Sequence, residues 1–258
     1  MSSAGYVRRA WFDFLSAVQF LTRVRVPSTP YDPDPLSRAV KFFPVVGLLI
    51  GASAALLHFL LTPHLPAWIV ALLVVVYLVA ITGCLHEDGL ADAADGFGGG
   101  WEREKVLSIM RDSRIGSYGA AVLTLSLVAR ILLIASLSPI RAVTYLIAAH
   151  VLCRWTTLPL SFYLPPARDR SDDEIDGQGG RIARLTTSGT LVFGSLFAFA
   201  IVAFALRSRA LIPILISIVT TLLTALYYKR RIGGVTGDCF GATNQLTEIV
   251  VYLCGVWA

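Results

Sequence analysis

Residues Trp68–Gly100 read "WIVALLVVVYLVAITGCLHEDGLADAADGFGGG", and this stretch decides how the chain is understood. Its first half, Trp68–Cys84, carries no charge and has the apolar character of a membrane segment. Its second half carries Glu87, Asp88, Asp92 and Asp95 and closes on Gly98–Gly100. A hydrophobic span that opens directly onto an acidic, glycine-rich segment puts polar chemistry at a membrane face.

The rest of the chain repeats this pattern. Of 258 residues, 55% are hydrophobic and only 15% charged, with a mean hydropathy of +0.69. A soluble domain carries about a quarter charged residues. Several uncharged runs are long enough to cross ~30 Å of hydrocarbon. The expected spans are Lys41–Leu61, Pro66–Leu85, Ser117–Leu137, Ala142–Leu164, Thr187–Leu206, Leu211–Tyr228 and a short Ala242–Trp257. The predicted fold is therefore all-α: a polytopic integral membrane protein with about seven transmembrane helices in a single domain, 1–258.

Ahead of the spans, "WFDFLSAVQFLTRVRV" (Trp11–Val26) contains Asp13 and lacks the uninterrupted apolar core of a signal peptide. Phe12, Leu15, Val18, Gln19 and Thr22 follow helical spacing, with Arg23 and Arg25 at the end. This predicts an N-terminal amphipathic helix lying in the interface. The cysteines Cys84, Cys153, Cys239 and Cys254 form no C-x-x-C pair and have no His at zinc-ligand spacing, so they read as packing residues.

Charge sets the orientation. With the N-terminus inside, 17 of the 22 Lys and Arg residues fall on inside segments and 3 on outside ones; Arg130 and Arg154 lie within spans. Of the 17 acids, 16 fall inside and Glu248 lies in the last span. The expectation is N-in and C-out in the cell inner (cytoplasmic) membrane, with carboxylate chemistry on the cytoplasmic side. The polar loop "PPARDRSDDEIDGQGGRIAR" (Pro165–Arg184) reads as a solvated linker, with a substrate lid as the alternative.

On a helix, the i, i+4, i+7 spacing of Asp88, Asp92 and Asp95 places all three within an arc of ~60°. Like charges on one face repel, more so at the lower dielectric near a membrane. A divalent cation offsets them, and an oxygen-only donor set points to Mg²⁺ or Mn²⁺ rather than zinc. Asp88, Asp92 and Asp95 are thus the expected metal ligands. The small residues between them allow close backbone approach. Gly98 and Gly99, taken as lying past the helix end, are expected to offer N–H groups to an anion. His86 is placed as a substrate contact, and Glu87 points away from the aspartate face.

Two more clusters follow. "MRDSRIGSYG" (Met110–Gly119) offers Arg111 and Arg114 to clamp a diphosphate through bidentate bonds. "GGVTGDCFGATNQLTE" (Gly233–Glu248) brings Asp238, Asn244 and Glu248 to the start of an apolar segment. An acid inside a span is a functional candidate by default. Arg130, His150 and Arg154 are intramembrane cations that need an anionic partner, either Glu248 or a substrate phosphate.

An Asp-Gly opening with several helical aspartates partly resembles the CDP-alcohol phosphotransferases. Their pattern has Arg after D-G-x-x-A, where this chain has Asp92. The fuller resemblance is to the cobalamin synthase family, and it rests on five stretches: "VQFLTRVRVP" (Val18–Pro27), "FFPVVGLLIG" (Phe42–Gly51), "LHEDGLADAADGFGGG" (Leu85–Gly100), "IMRDSRIGSYG" (Ile109–Gly119) and "GDCFGATNQLTE" (Gly237–Glu248). The chain departs from that family at Glu87, where Leu is common.

This resemblance implies a Mg²⁺-dependent adenosylcobinamide-GDP ribazoletransferase. Such an enzyme joins adenosylcobinamide-GDP to α-ribazole or its 5′-phosphate, giving adenosylcobalamin or its 5′-phosphate and GMP. On that reading Asp88, Asp92, Arg111 and either Asp238 or Glu248 serve catalysis. His86, Arg111, Arg114, Asn244, Gly98 and Gly99 contact substrate. Membrane lipid is an expected partner and nucleic acid is not, and a homo-oligomer is compatible with the sequence. A CDP-alcohol-type phosphotransferase and a cation transporter are the rival readings.

Overall fold

In hydrocarbon every backbone group must bond within its own segment, so the uncharged runs can only be helices. The computed structural model describes residues 3–27, 35–168, 182 and 186–257. Among these, α1 spans Ser3–Leu21, α2 Pro35–Ala39, α3 Phe43–Leu61, α4 Ala67–Thr82, α5 Leu85–Gly99 and α6 Arg103–Ile109. They are followed by α7 Ser117–Ser136, α8 Pro139–Trp155, α9 Thr157–Tyr163, α10 Ser188–Leu206, α11 Leu211–Ile232 and α12 Gly237–Trp257.

Four helical stretches are long and apolar enough to cross a membrane: Val40–Leu61, Ser117–Ser136, Ser188–Arg209 and Leu211–Ile232. A fifth arises if α4 and α5 count as one bent span. By length and composition, four to five such spans are found among the described residues, against the seven expected from the sequence. The outward faces agree with lipid exposure: Leu125, Leu132, Leu196 and Phe204 are all largely exposed.

Two expected spans are broken, each for a local reason. Ala142–Leu164 divides at Thr156 into α8 and α9. Pro159 follows, and it has no N–H to offer the Trp155 carbonyl one turn back. Pro66–Leu85 ends early because Gly83 (φ 64°) and Cys84 (φ 61°) both adopt left-handed backbone, turning α5 by 88° from α4. A Cβ at Gly83 would strike the Arg23 side chain, which donates to the Gly83 carbonyl at 3.3 Å. The backbone N–H of Arg23 also donates to Ile81 O at 2.7 Å. The segment after α1 therefore fastens the hinge.

Of the residues expected on one face of α1, Leu15 and Thr22 are buried and Phe12 and Val18 half-buried. Asp13, Ala17 and Leu21 are buried, whereas Gln19 is exposed. Asp13 turns this face inward by pairing with Arg38 (3.2 Å) and Lys41 (3.1 Å). Trp11 and Val7 remain outside. The most extensive packing, α3 on α8, uses Gly47-x-x-x-Gly51: a Cβ at Gly51 would lie 2.8 Å from Leu146 O, and one at Gly47 would collide with the His150 carbonyl.

Candidate active site

The second close crossing brings the site together. Helices α5 and α12 meet at Gly89 and Gly241. A Cβ on Gly89 would lie 3.1 Å from Asp238 Cα, and one on Gly241 would lie 3.1 Å from Gly89 Cα. Only glycine lets the two backbones approach this closely. The crossing carries Asp88 and Asp92 of α5 up to Asp238 in the first turn of α12.

A cavity of about 310 Å³ opens beside this crossing. Asp88, Asp238, His86 and Arg168 give it a charged and polar wall, and Phe20, Phe43 and Phe240 contribute an apolar one. Helix α5 leaves the path of α4 and carries four acids, so we read it and the first turn of α12 as lying outside the membrane-spanning segments. Burial pushes the Asp92 carboxyl up to about 7, reinforced by repulsion from Asp238, Asp88 and Asp95 and opposed by Arg168. Burial also raises Asp238, against Arg168 and a hydrogen bond from the Thr236 hydroxyl at 3.2 Å.

Arg168 is a site residue that the sequence reading missed. Its Nη2 lies 3.7 Å from Asp238 Oδ2. It belongs to the polar loop taken as a linker, and a short bridge fixes its start: Val235 N donates to Pro165 O (2.9 Å) and Ala167 N to Val235 O (3.0 Å). The rest of that expected linker or lid, residues 169–181 and 183–185, lies outside the described residues.

The three helical aspartates do not share one environment. Asp88 is exposed at the cavity, Asp92 is half-buried and Asp95 is buried. Asp95, expected as a metal ligand, has backbone partners of its own. Its Oδ2 accepts from Gly116 N (2.7 Å) and its Oδ1 from Gly119 N (2.9 Å), so it satisfies the start of α7. A Cβ at either glycine would strike that carboxylate. Gly98 and Gly99 also need correction: α5 continues through both, and Gly100 N bonds back to Gly96 O. This end of the helix presents carbonyls, which Arg231 caps by donating to Gly100 O (2.6 Å) and Phe97 O (3.3 Å). It is no anion site.

Arg114 turns onto its neighbour Asp112 at 2.6 Å, both outward, and lines neither cavity. That pairing pulls Asp112 down to about 2. Arg111 faces a neighbouring cavity together with Arg168. Asn244 is buried in α12, with no hydrogen-bond partner at Oδ1, and lines neither cavity.

Glu248 stands in a buried network behind the site. Arg130 Nη2 lies 2.9 Å from Glu87 Oε1, and Arg130 Nη1 lies 3.4 Å from Glu248 Oε1. His150 Nε2 approaches Glu248 at 3.9 Å, and Arg154 meets His150 Nδ1 at 2.6 Å. Gln245 donates to Glu87 at 3.4 Å. Glu248 is thus the anionic partner sought for Arg130 and His150. It is buried and lines neither cavity. Glu87, without a role in the sequence reading, is the second partner of Arg130.

The carboxylate wall has the donors for a hard cation. Asp88, Asp92 and Asp238 offer only oxygen, they repel one another, and Arg168 is the cation beside them. The donor type of these three suits a hard cation such as Mg²⁺, but their carboxylate oxygens do not gather within 4.8 Å of one another. Among the described residues, the one group of three with ligand atoms within 4.8 Å of one another is instead His150, Cys153 and Glu248. Arg130 and Arg154 stand against it, and their charge opposes a metal ion there.

Comparison with known proteins places the chain in a family. Residues 13–256 match the family model described as cobalamin-5-phosphate synthase. The chain is 41% identical over 249 residues to the adenosylcobinamide-GDP ribazoletransferase of Shewanella frigidimarina, covering 93% of this chain and 92% of that relative. It is 40% identical over 256 residues to the protein of that name from Sinorhizobium medicae, covering 95% and 96%. With the one from Azorhizobium caulinodans the identity is 41% over 252 residues, covering 95% and 94%. No solved structure matches the chain.

Proposed function

The chain belongs to the cobalamin-5-phosphate synthase family, and from that premise we propose that it works as an adenosylcobinamide-GDP ribazoletransferase in cobalamin assembly. A ribose hydroxyl of α-ribazole, or of its 5′-phosphate, attacks the phosphorus that bears the cobinamide side chain. A new P–O bond forms to the ribose, the P–O bond to GMP breaks, and the hydroxyl proton passes to a carboxylate. The whole chain, 1–258, acts as one transferase domain.

The observation that carries this reading is the Gly89–Gly241 crossing, which lines one cavity with Asp88 and Asp238 beside Arg168. Transfer of this kind is mostly positioning and charge stabilisation. Asp88, Asp92 and Asp238 would hold Mg²⁺, which when bound neutralises phosphate oxygens and the departing group. Asp238, raised by burial, is the group placed to take the hydroxyl proton. Phe20, Phe43 and Phe240 give an aromatic base an apolar seat. The buried Glu87–Arg130–Glu248 pairs hold α5, α7 and α12 in register.

The positive-inside bias supports an inner-membrane protein with its N-terminus and this cavity on the cytoplasmic side. Helices α4, α8–α9 and α12 would bring the four spans to seven, with α5 outside them. Lipid contacts the outward faces.

Membranes carrying the protein test the proposal when supplied with either adenosylcobinamide-GDP plus α-ribazole or a CDP-alcohol plus acceptor. Corrinoid product and GMP from the first pair are expected. Product from the second pair alone would overturn the reading. Divalent-metal uptake into sealed vesicles, with no transfer, would favour a transporter.

A further inference from the structure

Residues 1–27 contain four arginines, Arg8, Arg9, Arg23 and Arg25, and a single acid, Asp13. Asp13 is buried and paired with Arg38 at 3.2 Å and Lys41 at 3.1 Å. All four arginines are exposed. The charged groups that α1 and the segment after it turn outward are therefore all cationic.

The depth of α1 follows from what it packs on. Phe14 lies edge-on to Phe42 at 5.9 Å, and Phe20 stacks on Phe43 at 5.6 Å. Phe42 and Phe43 belong to the first turn of the span Val40–Leu61. A helix fastened along that turn lies where the span enters hydrocarbon. At this depth Val7 is 67% and Trp11 56% exposed, one helical turn apart on one face, with Arg8 and Arg9 beside them. An indole flanked by guanidinium groups fits the headgroup layer: the ring takes the apolar side and the arginines meet phosphate.

The other end of α1 reaches the candidate site. Phe20 and Leu21 line the cavity that holds Asp88 and Asp238. Two residues on, Arg23 bonds to Ile81 and Gly83 at the hinge between α4 and α5. One helix thus joins the membrane surface to the cavity wall and to the turn that aims the acidic helix.

We propose that the basic outer face of α1 binds anionic phospholipid headgroups, with Arg8 and Arg9 on the phosphates and Trp11 in the interface, and that this contact seats α1 against the hinge and the cavity. The lipid contact is independent of the transferase reading above; only its effect on turnover rests on that reading.

The full chain in lipid nanodiscs tests this, in phosphatidylcholine alone or with about a third phosphatidylglycerol. Hydrogen exchange in α1 and in residues 79–88 is followed alongside GMP release from adenosylcobinamide-GDP and α-ribazole. At low ionic strength the anionic discs are expected to slow exchange in α1 about tenfold and at the hinge by less, and to speed GMP release about threefold. Salt at about 1 M should remove these differences. Arg8→Gln combined with Arg9→Gln should remove them too, whereas the two Lys replacements should keep most of them. Equal exchange in the two discs overturns the proposal, as does a difference that survives the double Gln variant. Exchange that ignores lipid charge but slows as protein copies per disc increase also overturns it, in favour of a second copy on this face. Slower exchange in α1 with the hinge and GMP release unaltered overturns the seating of the site. An exchange difference with no GMP release in any disc would sink the transferase reading and leave the lipid contact standing.

Discussion

Glu87 and Arg130 form an ion pair at 2.9 Å with both side chains almost wholly buried, joining α5 to α7. Glu248 of α12 closes the far side of the same guanidinium at 3.4 Å. Two carboxylates thus tie the acidic helix to α7: Glu87 through Arg130, and Asp95 through the N–H groups of Gly116 and Gly119.

Removing one partner of a buried pair leaves the other charge uncompensated, at a cost of ~3–5 kcal/mol. Arg130→Met is therefore expected to lower the thermal midpoint of the detergent-solubilised protein sharply. Glu87→Leu with Arg130→Met removes both charges and is expected to recover part of that loss. Additive losses from the two changes, read by scanning calorimetry, would mean that the pair is not coupled.

Gly89 has no room for a side chain against Asp238 and Gly241. Gly89→Val is expected to part α5 from α12 and cut turnover by about a hundredfold, as small misplacements at a reacting centre do. The melting temperature should change far less than activity. An equal fall in both, or normal turnover, would show that the crossing does not position the site.

The raised Asp92 carboxyl gives stability a definite pH slope. Its folded value, about 7, lies above its ordinary value, so the folded state holds a proton that the unfolded state has released between those limits. This group's contribution is complete at low pH and is lost as pH rises towards and through about 7. With chelator present, the wild-type melting temperature should fall between pH 5 and 8, and Asp92→Asn should flatten that fall. Mg²⁺ is expected to raise the midpoint more at pH 8 than at pH 6. A midpoint that rises with pH in chelator, equally in both proteins, would contradict the assignment.

Asp95 is expected to behave as a helix cap. Asp95→Ala leaves the N–H groups of Gly116 and Gly119 without their acceptor and should cost ~1–2 kcal/mol. Asp95→Asn, which keeps an oxygen, should cost less. The stabilisation given by Mg²⁺ should survive in both, and its loss would restore Asp95 as a metal ligand.

Much of this was legible in the sequence because it follows local rules. The uncharged runs had to be helices, and the spacing of the aspartates put them on one side of α5. The signals that failed depend on tertiary contact. Helical spacing could not show that Asp95 would turn to Gly116 and Gly119 while Asp88 faced a cavity. The run Gly98–Gly100 reads as a helix break, yet α5 persists to Gly99 with Arg231 capping its end. Glu87 found its role only through Arg130, 43 residues away in the chain. The Gly47-x-x-x-Gly51 spacing was not read from the sequence, and the α3–α8 contact shows its use. Arg168 gave no pattern at all, since its place depends on the bridge between Pro166 and Val235.

The central claim is that Asp88, Asp92 and Asp238 form one carboxylate wall on which the transfer to ribazole takes place. The most direct measurement is GMP release from adenosylcobinamide-GDP and α-ribazole 5′-phosphate by the purified protein, titrated with Mg²⁺, for wild type, Asp88→Asn and Asp238→Asn. We predict release that depends on Mg²⁺ and falls by roughly a hundredfold or more in each variant, while both remain folded. Release that persists in both folded variants, or that proceeds unchanged without divalent metal, would contradict the account.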